Sequence, residues 1–180
     1  MSNFLLDKRF GACFEEVAIP IIKHACPFST VRRNITNGDD HGIDIIANDI
    51  ESGIDIYFDV KAYKKPLYAK SFKGFFIETY RPLSGTPGWI LDKTHKTDYY
   101  ILFRDCELIE SPDSITCKYR DVYIVPAVVL SAMVEAAMPT DVLDQKSIRS
   151  ATGVIIPYEI LKKYKYNVRK GGAPWIHKDA

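Results

Sequence analysis

The chain has 180 residues, 47% of them hydrophobic and 26% charged, with a formal net charge of +1. That balance describes a globular domain able to bury roughly 70% of its unfolded surface, and it excludes a disordered chain. It gives no overall basic field that would draw a polyanion, so any case for a nucleic-acid partner has to rest on how the charges are distributed.

Phe10 to Lys23 has helical spacing, with Phe10, Phe14, Val17 and Ile21 on one stripe. Pro20 is expected to kink that helix or end it. Phe28 to Arg33 reads as a short strand, and Asn34 to Asp40, with Asn37-Gly38, as a turn. His41 stands at the junction with the next strand, where it could assist a site or simply hydrogen-bond at the surface. Two Ile-rich strands follow, separated by a turn from Asn48 to Gly53. Lys64 to Gly74 is expected to be a loop or short helix, with Tyr63, Tyr68 and Phe72 interleaved among lysines. Phe75 to Tyr80 reads as a strand carrying Glu78, and Arg81 to Gly88 as a loop ending at Trp89, a packing anchor. Asp98 to Phe103 reads as a buried strand, and Ser111 to Ser114 as a turn. Ile115 to Tyr119 and Asp121 to Val125 read as strands, the second running into a helix from Pro126 to Ala137 that Pro139 stops. Asp141 to Ser150 is polar and reads as loop. Pro157 to Tyr166 reads as a closing helix with Ile160 and Leu161 inward. Residues 1–166 are expected to form one domain, and 167–180 a basic tail with Arg169, Lys170 and Lys178. Cys13, Cys26, Cys106 and Cys117 have neither Cys-x-x-Cys spacing nor a nearby His, so reduced thiols are expected. No apolar stretch approaches a membrane span, and Phe4-Leu5-Leu6 is too short for a signal-peptide core. The expected setting is cytoplasmic or nuclear, with no membrane partner.

The two Ile-rich strands carry the chemistry. The first holds Gly42-Ile43-Asp44, and the second holds Asp59-Val60-Lys61. Strand side chains alternate, so Asp59 and Lys61 share a face at a spacing of roughly 6.5–7 Å. Ile54, Ile56, Phe58, Val60 and Ala62 take the other face as candidate core. If the strands pair as a hairpin, Asp44 comes beside Asp59. Two carboxylates and waters suit Mg²⁺, and Lys61 could orient a water or stabilise developing negative charge at phosphorus. The same triplet could be a solvated strand face, but charge inside an Ile-rich strand calls for a partner or a metal.

Gly42-Ile43-Asp44 followed by Asp59-Val60-Lys61, with an acidic helix upstream, resembles the PD-(D/E)XK nuclease superfamily, which includes restriction endonucleases and Holliday junction resolvases. The likeness covers about the first third of the chain; Ile43 stands where the family name puts Pro, and Asp59 takes the second acidic place. It implies an α/β fold with a restriction-endonuclease-like core, a central mixed β-sheet flanked by helices. It implies Mg²⁺ or Mn²⁺ as cofactor, DNA as substrate and hydrolysis of phosphodiester bonds. Asp44, Asp59 and Lys61 would be the catalytic residues. Glu15, four residues after Gly11, is favoured over Glu16 as a further acid on the metal. Restriction-like, repair-like and junction-resolving action all stay open, a homodimer is expected, and the alternative is a catalytically inactive DNA-binding or scaffold module.

Other chemistries find no motif. There is no phosphate-binding Gly-x-x-x-x-Gly-Lys-Ser/Thr loop, no dinucleotide Gly-x-Gly-x-x-Gly, no Gly-x-Ser-x-Gly elbow and no zinc-finger spacing. Asp39 to Asp59 holds seven acids and no Lys or Arg, whereas Lys61 to Lys73 holds five lysines and no acid. An acidic knot followed by a basic run fits a metal pocket beside a phosphate track, with Lys64, Lys65, Lys70 and Lys73 as backbone contacts; a solvated lysine-rich loop fits as well. If these lysines contact phosphates, neutralising them should weaken DNA binding alike for all sequences and flatten the salt dependence. Binding measured across a salt series would show equal slopes if they do not.

Overall fold

The computed structural model describes residues 3–35, 42–64, 73–111, 114–138, 146–148 and 151–166. The chain opens with helix α1, Asn3–Ala25. Its apolar stripe of Phe10, Phe14, Ala18, Ile21 and Ile22 is buried. The helix runs through Pro20 rather than stopping there. A helix-interior proline costs about 3 kcal/mol, and here Ala18 on one side and Ile21 and Ile22 on the other stay packed in the core.

Three antiparallel strands follow: β1 (Ser29–Arg33), β2 (Ile45–Asp49) and β3 (Asp55–Lys64). The expected turn joins β2 to β3, with Asp49 Oδ1 accepting from the backbone of Glu51 and Ser52. After β3 the chain makes β4 (Gly74–Arg81) and the two-residue β5 (Thr86–Pro87). It then enters β6 (Tyr99–Ser111), which lies parallel to β3. Along its first half β6 also pairs with β8 (Asp121–Pro126), and along its second half with β7 (Ser114–Lys118). The change of partner falls at Asp105, whose φ of 52° turns the strand; Asp is among the few non-glycine residues that enter the left-handed region readily. Helix α2 (Ala127–Ala137) begins directly after Pro126. Strands β9 (Lys146–Ile148) and β10 (Ala151–Pro157) and the short helix α3 (Tyr158–Leu161) complete the described chain.

The protein is therefore α/β, built on a mixed six-stranded sheet. The first half of β6 is apolar on both faces, as a central strand buried on both sides requires, whereas β3 is apolar on one face and carries Asp59 and Lys61 on the other. Ile101 and Phe103 of β6 point to the α1 side with Phe58, while Tyr100 and Leu102 point to the other. That second face is covered by α2 and by an antiparallel sheet of order β5-β4-β10-β9. Helices were expected on the faces, and among the described residues the crossover from β3 to β6 passes through β4 and β5.

Several sequence expectations need correction. Ile56, Phe58, Val60 and Ala62 do face the core, but Ile54 precedes β3 and is exposed. Of the closing helix, Leu161 is buried and Ile160 is not. The polar segment read as loop contains β9, and its partner β10 has no counterpart in the sequence reading. Residues 36–41, with His41, and 65–72, with Lys65, Tyr68, Lys70 and Phe72, lie outside the described residues, as do 139–145 and the tail from 167. The four cysteines are free thiols. Among the described residues no helix is long and apolar enough to cross a membrane.

Phe14 has no exposed surface, whereas Ile54 retains 63%. Phe14→Ala should cost about 3–5 kcal/mol and Ile54→Ala no more than about 0.5 kcal/mol, as urea unfolding would measure. Equal costs would contradict this placement of the core.

Candidate active site

The β2–β3 hairpin brings both motifs to one point. Ile45 is paired with Phe58, and just before it Asp44 N donates to Phe58 O at 2.9 Å. Asp44 Oδ2 in turn accepts from Val60 N at 2.7 Å. The Asp44 carboxylate is thus pinned against the strand that carries Asp59. On the opposite side of β3 from Phe58 and Val60 stand Asp59 and Lys61, with Lys61 Nζ 2.6 Å from Asp59 Oδ1.

The loop that delivers Asp44 is held from three sides. Asn34 N donates to Asp44 O at 2.8 Å, and Asn34 Nδ2 to Ile43 O at 2.9 Å. Thr97 Oγ1 donates to Gly42 O at 3.0 Å. Gly42 has φ +74°, and a Cβ there would lie 2.5 Å from His95 Nδ1. Both the backbone and the space therefore call for glycine.

The electrostatics follow from burial. Asp59 is fully buried and Asp44 partly so. Burial, and then the charge of Asp59, push the Asp44 carboxyl up to about 7, while Lys61 and the Val60 N–H pull the other way. Two acids so close cannot both ionise freely with one ammonium between them. Burial and the Asp59 charge also raise the Tyr100 and Tyr63 phenols, which keeps both neutral and unable to add charge to the site.

Lys61 is held on its other side by an aromatic face, with Nζ 5.3 Å from the Trp89 ring centre. A hollow of about 270 Å³ opens there, lined by Lys61, Tyr63, Phe76, Glu78 and Trp89 among others. Glu78 is paired with Arg81 at 2.5 Å. Trp89, read from sequence as a packing anchor, is thus also the platform for Lys61. Its loop position carries no signal of that, because only the fold of β4 and β6 brings it there.

Glu15 lies on α1 within the field of Asp44: burial first and Asp44 next raise its carboxyl, against the lowering effect of Arg33. It forms an ion pair with Arg33, which also meets Glu16 at 3.0 Å. Glu16 is the more exposed of the two. Lys64 turns to the α1 side, its Nζ 4.9 Å from the Phe10 ring centre, and Lys73 is exposed. Tyr63, interleaved with the lysines in sequence, packs at 4.8 Å against Phe75.

The donor set suits a hard divalent cation, which binds through one or two carboxylates and keeps its waters. The raised proton affinity of Asp44 comes first from its burial and then from the neighbouring charge of Asp59. Among the described residues no group of three or more His, Cys, Asp or Glu side chains forms a ready-made metal cage. No family model, no curated protein and no solved structure matches the chain. Fold and site alone therefore define its class: an α/β protein with a paired-carboxylate and lysine cluster on adjacent strands.

Because the Asp44 carboxyl binds its proton more tightly folded than unfolded, stability from this group is fullest below about pH 4 and is lost as pH rises towards 7. Each tenfold change in proton affinity corresponds to about 1.4 kcal/mol. Asp44→Asn, which keeps an oxygen for Val60 N–H, should stabilise the metal-free protein by on the order of 2 kcal/mol at pH 8 and by far less at pH 4. Denaturant unfolding at the two pH values would show equal effects if the pair were not strained.

Proposed function

We propose that this chain is a divalent-metal-dependent DNA endonuclease with a restriction-endonuclease-like core. The observation that carries this reading is the convergence of Asp44, Asp59 and Lys61 on adjacent strands, with the Asp44 carboxylate anchored by Val60 N–H. An N-terminal helix followed by an antiparallel three-stranded run bearing both motifs supports the same core.

Asp44 and Asp59 would hold Mg²⁺ or Mn²⁺, and when bound the ion would supply Lewis acidity at the scissile phosphate. Asp44 provides the open side of the pair, and Asp59 the buried side behind Lys61. The Val60 N–H fixes which Asp44 oxygen faces the backbone. Lys61, about one-third exposed, can turn its ammonium from Asp59 towards a substrate phosphate. There it orients the attacking water and offsets the negative charge that builds on the phosphate oxygens. The Trp89 ring faces the Lys61 ammonium before that exchange. Lys73, with Lys65 and Lys70 before it in sequence, would follow the DNA backbone, whereas Lys64 is turned to Phe10 on the α1 side. Cutting both strands of a duplex takes two sites, and a homodimer would supply them.

The reading is tested with supercoiled plasmid and four-way junction DNA in Mg²⁺, in Mn²⁺ and in EDTA. Metal-dependent cutting should fall at least about a hundredfold in Asp59→Ala and in Lys61→Ala, with DNA binding retained. Binding without cutting by the unaltered protein would identify a non-catalytic DNA-binding or scaffold module instead.

A further inference from the structure

On β4, Phe75 and Ile77 are fully buried, whereas Phe76 and Glu78 are half-buried. Strand alternation puts Phe76 and Glu78 together on the face away from that core. They line the hollow of about 270 Å³ beside Lys61, with Tyr63 and Trp89. Lys61 and Tyr63 likewise share one face of β3. The hollow is therefore walled by aromatic rings and carries one ammonium and one carboxylate. The carboxylate is directed by Arg81, whose Nε donates to Glu78 Oε1 at 2.5 Å. Aromatic walls beside a directed hydrogen-bonding group are what holds a base that has left its stack. The volume falls below the roughly 300–1,000 Å³ of sites for drug-sized ligands, which fits a single base. A carboxylate has about four acceptor positions and no donor, so Glu78 can accept from a base as well as from Arg81. Guanine presents two adjacent donors, N1–H and N2–H, to such a fork. Adenine and cytosine set an acceptor beside their amino group, and thymine flanks its one N–H with two carbonyls.

We propose that this hollow takes one unstacked guanine of the substrate strand, its ring against Phe76 and Trp89 and its two N–H groups donating to Glu78, while Lys61 meets a neighbouring phosphate. The inference rests on the nuclease reading above and narrows the substrate to DNA with an unpaired guanine close to the scissile phosphate. Phe76 and Glu78 are then specificity-determining residues, and Arg81 is a positioning residue that acts through Glu78. A base already unpaired, as at a bulge or a branch, enters without the cost of breaking its pair.

The test uses three labelled duplexes: one fully paired, one with a single unpaired guanine and one with a single unpaired thymine. Binding is followed by fluorescence anisotropy in EDTA, and cutting of the same duplexes in Mg²⁺. The unaltered protein should bind the unpaired guanine on the order of tenfold more tightly than the unpaired thymine, and cut it in preference. Glu78→Gln, which sets an amide donor against the donors of the base, should erase that difference. Phe76→Ala should weaken binding of both unpaired bases about tenfold and leave the paired duplex unchanged. Phe76→Leu, which keeps bulk without a ring face, should show the same loss and serves if Phe76→Ala does not fold. A loss shared by all three duplexes would give Phe76 a structural role and overturn the assignment. Equal binding and cutting of the three by the unaltered protein would overturn the base site and leave the nuclease reading standing. Selective binding with no cutting would keep the base site and overturn the nuclease reading, and neither binding nor cutting would overturn both. Deoxyguanosine monophosphate that competes as strongly as the unpaired strand would make the hollow a free-nucleotide site and overturn the DNA assignment.

Discussion

Two carboxylates forced together with one ammonium are the constraint on which the site depends. Asp44 lies just before β2 and Asp59 on β3, and the Lys61 ammonium is in direct contact with Asp59. Such a cluster survives only where surrounding structure over-determines it. That structure is visible around Asp44, with Asn34, Thr97 and the His95 ring fixing the Gly42–Asp44 loop. The stability for it comes from elsewhere, chiefly from the apolar layer between α1 and the sheet, where Phe14, Phe58 and Phe103 are fully buried. A strained acidic pair carried on a rigid sheet is what a site tuned to collect a cation requires.

The two faces of the main sheet divide the work. The α1 face is almost wholly apolar, apart from the rim where Glu15, Glu16 and Arg33 meet. The opposite face mixes aromatic rings with the site residues: Tyr100 packs tilted against Trp89 at 4.8 Å, and Trp89 faces the Lys61 ammonium. Among the described residues β4 and β5 cross between β3 and β6, and this face is walled by strands together with α2. The hollow beside Lys61 is a consequence, bounded by Phe76 and Glu78 of β4.

The hairpin was legible in the sequence because its signals are local. Ile-rich alternation sets the strands, and Asn48 to Gly53 sets the turn, so the pairing that brings Asp44 to Asp59 follows from register. The α2 boundaries were legible for the same reason, through Pro126. What was not legible depends on distant packing. Pro20 reads as a helix breaker, yet the core on either side of it keeps α1 whole. Ile54 and Ile160 read as core by alternation and helical spacing, but one lies before its strand and the other on the solvent side of a one-turn helix. The roles of Arg33 and Trp89 depend on partners 17 to 28 positions away in the chain, Glu16 and Lys61, and no spacing rule announces them. Strand β10 escaped because its long partner β4 is distant in the chain, while its local partner β9 is only three residues long and too short to show alternation.

The most direct measurement is a carbon-13 NMR titration of the Asp44 carboxyl, with and without saturating Mg²⁺. The account requires a midpoint near 7 in the metal-free protein, falling below the ordinary aspartate value of about 3.9 when Mg²⁺ is present. A midpoint near the ordinary value without the ion, or one that Mg²⁺ leaves unmoved, would contradict it.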